Sequence, residues 1–103
     1  MNEELTKARN EIDLIDDGIV SLMEKRVLAV KKIAEIKKDN GKKVRDEKRE
    51  KEVVLRLEQR CGADFSPYVA KLYETIFSVC RQIEEDFMEK RGAETEKEED
   101  NDL

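Results

Sequence analysis

From Leu5 to Ile36 the chain repeats aliphatic residues with no proline between them. Leu5, Ala8, Ile12, Ile15, Ile19, Leu22, Ala29, Ile33 and Ile36 follow one another at three, four or seven positions. That spacing predicts one amphipathic helix over roughly residues 3–39. Gly18 falls inside it and costs about 1 kcal/mol against alanine, but the stripe runs through. At ~1.5 Å per residue the helix would be ~55 Å long, whereas a compact domain of about 100 residues has a radius of gyration near 13 Å. Two shorter helices cannot cover such a rod. The pattern therefore calls for a partner chain, most simply an identical one.

Asn40 and Gly41 read as the stop of this first helix. A second helix is predicted over about 46–61, with Val53, Val54, Leu57 and Cys61 on one side and Gly62 ending it. Ser66-Pro67 then reads as an N-cap followed by proline at the first helical position. The third helix, about 67–90, carries Val69, Leu72, Tyr73, Ile76, Phe77, Cys80, Ile83 and Phe87. One proline and four glycines leave little turn chemistry for a sheet, so the fold class is all-α, with three helices and a very long first one.

Charge divides the chain. Residues 92–103 hold six acids and one lysine, while residues 1–91 balance at twenty of each sign. We therefore read 1–91 as the helical domain and 92–103 as an acidic, disordered tail. A neutral body favours neither nucleic acid nor a membrane surface as partner. No apolar run approaches the ~20 residues of a membrane span, and MNEELTKARNE lacks the apolar core of a signal peptide, so the expected location is the cytoplasm. Cys61 and Cys80 are isolated and read as reduced thiols. The absence of histidine removes Ser–His–Asp and Cys–His nucleophiles and histidine-based metal sites. No GxxxxGK[ST] or GxGxxG is present, so no metal and no cofactor is expected.

Several charges lie on the apolar stripes. Arg26, Val30, Ile33 and Lys37 follow at four, three and four, so the two cations share a face with aliphatics between them. Asp46 and Glu50 open the stripe of the second helix, and Glu84 interrupts the third-helix stripe Tyr73–Phe77–Cys80–Glu84–Phe87. A charge on a buried stripe needs an opposite charge or a ligand. These residues pair among themselves or hold a small polyanion, and the pattern alone leaves both open. Arg9 lies about 100° around the first helix from Arg26, so one small ligand does not easily touch both from one chain; Arg9 reads as a surface arginine unless a second chain carries it to the site. A carboxyl at 84 among apolar neighbours should have a raised pKa and donate a hydrogen bond.

Four segments carry a resemblance to a known family: ARNEIDLID, LMEKRVLAVKKIAEIKK, VRDEKRE and LYETIFSVCRQIEE. Together, across about residues 5–90, they resemble the chorismate mutases of the all-helical class, type II. The resemblance implies an intertwined homodimer of three-helix protomers with two sites shared between chains. It implies the Claisen rearrangement of chorismate to prephenate on the way to phenylalanine and tyrosine, which needs no cofactor. By the same resemblance Arg26 and the partner subunit's Arg9 grip the substrate carboxylates. Lys37 reaches a carboxylate and the ether oxygen, Asp46 and Glu50 hold the ring hydroxyl, Ile33 packs on the ring, and Arg49 supports the cationic pocket. Many relatives have serine where this chain has Cys80, and a thiol is a weak donor to the ring carboxylate. Some have glutamine at the ether oxygen where this chain has Glu84, which must be protonated to donate there. The alternatives are a lyase on the same scaffold that removes pyruvate from isochorismate, and a non-catalytic helical dimer or regulatory module. The acidic tail reads first as a solubilising, disordered end, with docking onto another enzyme of aromatic biosynthesis as the alternative.

Overall fold

The first helix, α1, spans Glu3–Asp39, close to the 3–39 set by the aliphatic spacing. Acids in its first turn (Glu3, Glu4) and lysines in its last (Lys37, Lys38) complement the helix dipole. The computed structural model describes residues 2–39 and 45–101, with side chains described up to Gly92 apart from that of Asp39. The Asn40-Gly41 stop, Val44 of VRDEKRE and the end of the chain lie outside the described residues.

The second helix, α2, spans Glu47–Arg60, with Asp46 in extended geometry as its N-cap. It ends without help from a left-handed glycine: Cys61 is extended, and its N–H donates to the Leu57 carbonyl. Gly62 instead offers its carbonyl to the N–H groups of Phe65 and Ser66. Ser66-Pro67 was expected to open the third helix directly. The structure places a single 3-10 turn there, Ser66–Tyr68, with no side-chain cap. Proline fixes its own φ for a helical start but supplies no N–H, and Ser66 serves through its carbonyl, which accepts from Val69 N–H.

The third helix, α3, then spans Val69–Asn101. It continues past the 91–92 boundary that the charge pattern set. Residues 93–101 hold no proline or glycine, and four of the nine are glutamate, a strong helix former.

Among the described residues α1 and α2 each pack against α3 and not against each other. This leaves a cleft between α1 and α2, floored by α3. The chain's own core is small: Ala34 on α1, Val53 on α2, and Val69 and Cys80 on α3 are the buried apolar residues. Lys31 of α1 lies over the Phe87 ring of α3 at 5.4 Å, and Arg91 of α3 is ion-paired with Glu35 of α1. These contacts join α3 to the C-terminal half of α1 only. Every residue from 2 to 22 is exposed, including Ile12, Ile15, Ile19 and Leu22, each more than half accessible. The radius of gyration is 19.1 Å and the longest dimension 71 Å, well above the ~13 Å radius of a compact chain of this length. No helix among the described residues is long and apolar enough to cross a membrane.

Candidate active site

The α1–α2–α3 cleft has a volume of about 440 Å³, within the usual range for small-molecule sites. One face is the last third of α1, where a helical repeat of three to four residues turns Arg26, Val30, Ile33 and Lys37 toward it. The start of α2 contributes Asp46, Arg49, Glu50 and Val53. Phe77, Cys80, Arg81 and Glu84 of α3 form the floor. Of the nine residues singled out from the sequence, the structure brings eight together here: Arg26, Ile33, Lys37, Asp46, Arg49, Glu50, Cys80 and Glu84. Arg9 is absent from the cleft. It is exposed on the free half of α1, seventeen residues and about 25 Å along the helix from Arg26.

Self-neutralisation of Arg26 by Asp46, Glu50 or Glu84 does not occur. Arg26 makes no ion pair among the described residues. Its Nη1 donates to Cys80 Sγ at 3.1 Å, and its guanidinium lies 5.7 Å from the centre of the Phe77 ring. Phe77 is braced edge-on by Tyr73, with ring centres 5.6 Å apart. A thiol and an aromatic face orient the cation without cancelling its charge, leaving it able to bind an anion. Cys80, expected as a weak donor to a ligand carboxylate, is an acceptor here and holds Arg26.

The carboxylates differ in state. Asp46 is the N-cap of α2 and accepts from Arg49 N–H at 3.0 Å, a use that stabilises helices by about 1 kcal/mol. Arg49 is largely exposed and reaches Glu52 at 3.9 Å along its own helix. Glu47 and Lys48 are exposed, as solvated members of VRDEKRE. Glu50 is mostly buried, paired with Arg81 Nη1 at 2.6 Å through Oε2 and with Arg45 Nε at 3.6 Å through Oε1.

Glu84 is buried, and its Oε2 has no hydrogen-bond partner among the described residues. Burial pushes its pKa up; the charges of Lys37, Arg26 and Arg81 oppose this, and that of Glu50 adds to it. An ionised carboxylate left so would carry the full cost of desolvation, which favours the protonated form. The cleft thus presents cations at Arg26 and Lys37, an acid of raised pKa at Glu84, and an aliphatic wall at Val30 and Ile33. Among the described residues no group of His, Cys, Asp and Glu is placed to hold a metal ion.

Reading stripes from the sequence missed Arg81 and Arg45. Arg81 had a signal, since Phe77, Arg81, Glu84 and Met88 follow at four, three and four on α3. Arg45 precedes α2 and had none.

Comparison with known proteins bears on this arrangement. The chain is 34% identical over 87 residues to a bifunctional chorismate mutase/prephenate dehydratase of Aquifex aeolicus, covering 80% of this chain and 24% of that protein. It is 38% identical over 61 residues to a chorismate mutase of Methanocaldococcus jannaschii, covering 59% of this chain and 62% of that one. The chain thus spans less than two thirds of the length of either relative. No solved structure matches it at a significant level. The family model described as chorismate mutase type II matches residues 8–85. That span takes in Arg9, the whole cleft and Glu84, and on it the chain belongs to the type II chorismate mutase family.

Proposed function

We propose that the protein rearranges chorismate to prephenate in the α1–α2–α3 cleft, by positioning and electrostatics. The observation that carries this reading is a cleft with two cations on one helical face opposite a buried carboxyl whose Oε2 has no hydrogen-bond partner among the described residues. Chorismate carries two carboxylates, a ring hydroxyl and an enol ether. Arg26 binds a carboxylate in bidentate fashion. Lys37 and the protonated Glu84 donate to the ether oxygen, where negative charge grows as the C–O bond breaks and the new C–C bond forms. The ring hydroxyl donates its one proton to Glu50, with Asp46 beside it, and Ile33 packs on the ring. No atom enters or leaves, so holding the substrate in the folded, reactive conformation supplies much of the acceleration.

The active form is a homodimer in which the partner subunit's Arg9 binds the second carboxylate. This is supported by the exposure of Ile12, Ile15, Ile19 and Leu22 and by the distance from Arg9 to Arg26 within one chain. The test is incubation of purified protein with chorismate and identification of the product. Prephenate is expected. Recovery of unchanged chorismate refutes the proposal, and release of pyruvate from isochorismate in its place reassigns the scaffold to the lyase.

A further inference from the structure

Glu50 stands on a partition. It lines the α1–α2–α3 cleft and also a second cleft, of about 640 Å³, on the outer side of the α2–α3 pair. Phe77 and Arg81 are shared by both clefts in the same way. A glutamate there has two places to point its carboxylate, and its free side chain would sample both at an entropic cost to any ligand that needs one of them. The second cleft offers competing cations, since Arg45 and Lys51 line it.

One contact removes that freedom. Arg81 Nη1 donates to Glu50 Oε2 at 2.6 Å, bridging α3 to α2. Both side chains are mostly buried, at 25% and 19% exposed, so the pair is shielded from solvent screening. Among the described residues Oε1 is left with the 3.6 Å approach of Arg45 alone, which is beyond hydrogen-bond distance. Its lone pairs remain available to a hydroxyl donor.

We infer that Arg81 is a positioning residue of the reaction, locking the Glu50 carboxylate so that its second oxygen accepts the ring hydroxyl of the substrate. This rests on the proposed rearrangement of chorismate. Arg81 also lies one turn before Glu84 on α3. The charges that act on Glu84 come from all three helices: Arg26 and Lys37 on α1, Glu50 on α2, and Arg81 on α3. Neutralising Arg81 takes away a cation that favours the ionised acid and leaves the opposing Glu50 charge with only the weaker Arg45 pair among the described residues. Both changes move the loss of activity at high pH to a higher pH.

The test compares the parent with Arg81→Met, Arg81→Lys, Glu50→Gln and the double variant, measuring kcat and KM for chorismate across pH and Tm alongside. Arg81→Met is expected to lower kcat/KM by about tenfold or more, as for a hydrogen bond to a charged group. Arg81→Lys should recover part of that loss. Below the alkaline limb, where Glu84 is protonated in every variant, Arg81→Met in the Glu50→Gln background should change kcat/KM by less than about twofold, because the carboxylate it orients is gone. The alkaline limb of Arg81→Met should lie above the parent's. Losses that multiply across the double variant, or an Arg81→Met enzyme within about twofold of the parent, overturn the assignment. If Arg81→Met does not fold, Arg81→Lys and the double variant decide by the same criteria. A parent that leaves chorismate unchanged overturns the functional reading itself, and Arg81's role with it.

Discussion

Replacing Glu84 with glutamine isolates one proton. Glu84 is buried with an unpartnered Oε2, and burial raises its pKa against the pull of Lys37, Arg26 and Arg81. Donation to the ether oxygen requires the protonated form. Above the Glu84 pKa that form declines about tenfold per pH unit, so log kcat/KM should fall with a slope approaching −1. Glutamine offers an N–H donor at every pH, so Glu84→Gln should lose this limb. The two enzymes should be comparable in acid, and the variant should lead by about tenfold for each pH unit above the parent's inflection.

Stability supplies a second readout with a determined sign. A carboxyl whose pKa is raised on folding contributes stability that is complete below its unfolded pKa and is lost as pH rises through the folded value. Each pKa unit is worth about 1.4 kcal/mol. Glu84→Gln removes that loss, so its Tm should exceed the parent's at about pH 9 and not below about pH 4. Rates of chorismate consumption from pH 5 to 9, with thermal melts from about pH 3 to 9, decide both. Parallel pH–rate profiles for parent and variant would refute a proton-donating role for Glu84.

Three further perturbations follow from the geometry. Asp46→Ala should destabilise the fold by about 1 kcal/mol through loss of the α2 cap, whereas Asp46→Asn should keep most of that stability while raising KM for chorismate; thermal melts and steady-state kinetics separate the two roles. Cys80→Ser should leave Arg26 held, since a hydroxyl also accepts its N–H, and should add a stronger donor toward a substrate carboxylate; the expected outcome is unchanged or lower KM, checked by saturation kinetics. Ile15→Glu places a charge on the exposed aliphatic face of α1 and should abolish dimer formation and activity together; light scattering on the parent must first give the mass of a dimer.

The long first helix was legible because one regular spacing runs through it, and its excess length pointed to missing packing before any coordinates. The shared face of Arg26, Ile33 and Lys37 was legible for the same reason, since position on one helix is local information. Contacts between helices were not. The Arg26–Cys80 hydrogen bond spans 54 residues and the Arg81–Glu50 pair 31, and no periodicity within a helix sets the register of one helix against another. That is why internal neutralisation of Arg26 stays open in the sequence, and why the sequence does not single out Arg81. Asp46 shows a different gap. Its place on the α2 stripe calls for an ion pair or a ligand, but an aspartate just before a helix is also a cap, and the structure shows the cap.

The most direct measurement is the rate of chorismate conversion to prephenate by the parent and by Lys37→Ala, side by side, with folding checked by circular dichroism. Electrostatic stabilisation of the breaking C–O bond requires the Lys37 charge, so the parent should turn over chorismate and a folded Lys37→Ala should fall in kcat by about 10²–10³-fold, as when one donor to a developing oxyanion is removed. A folded Lys37→Ala that keeps the parent's kcat would contradict the account.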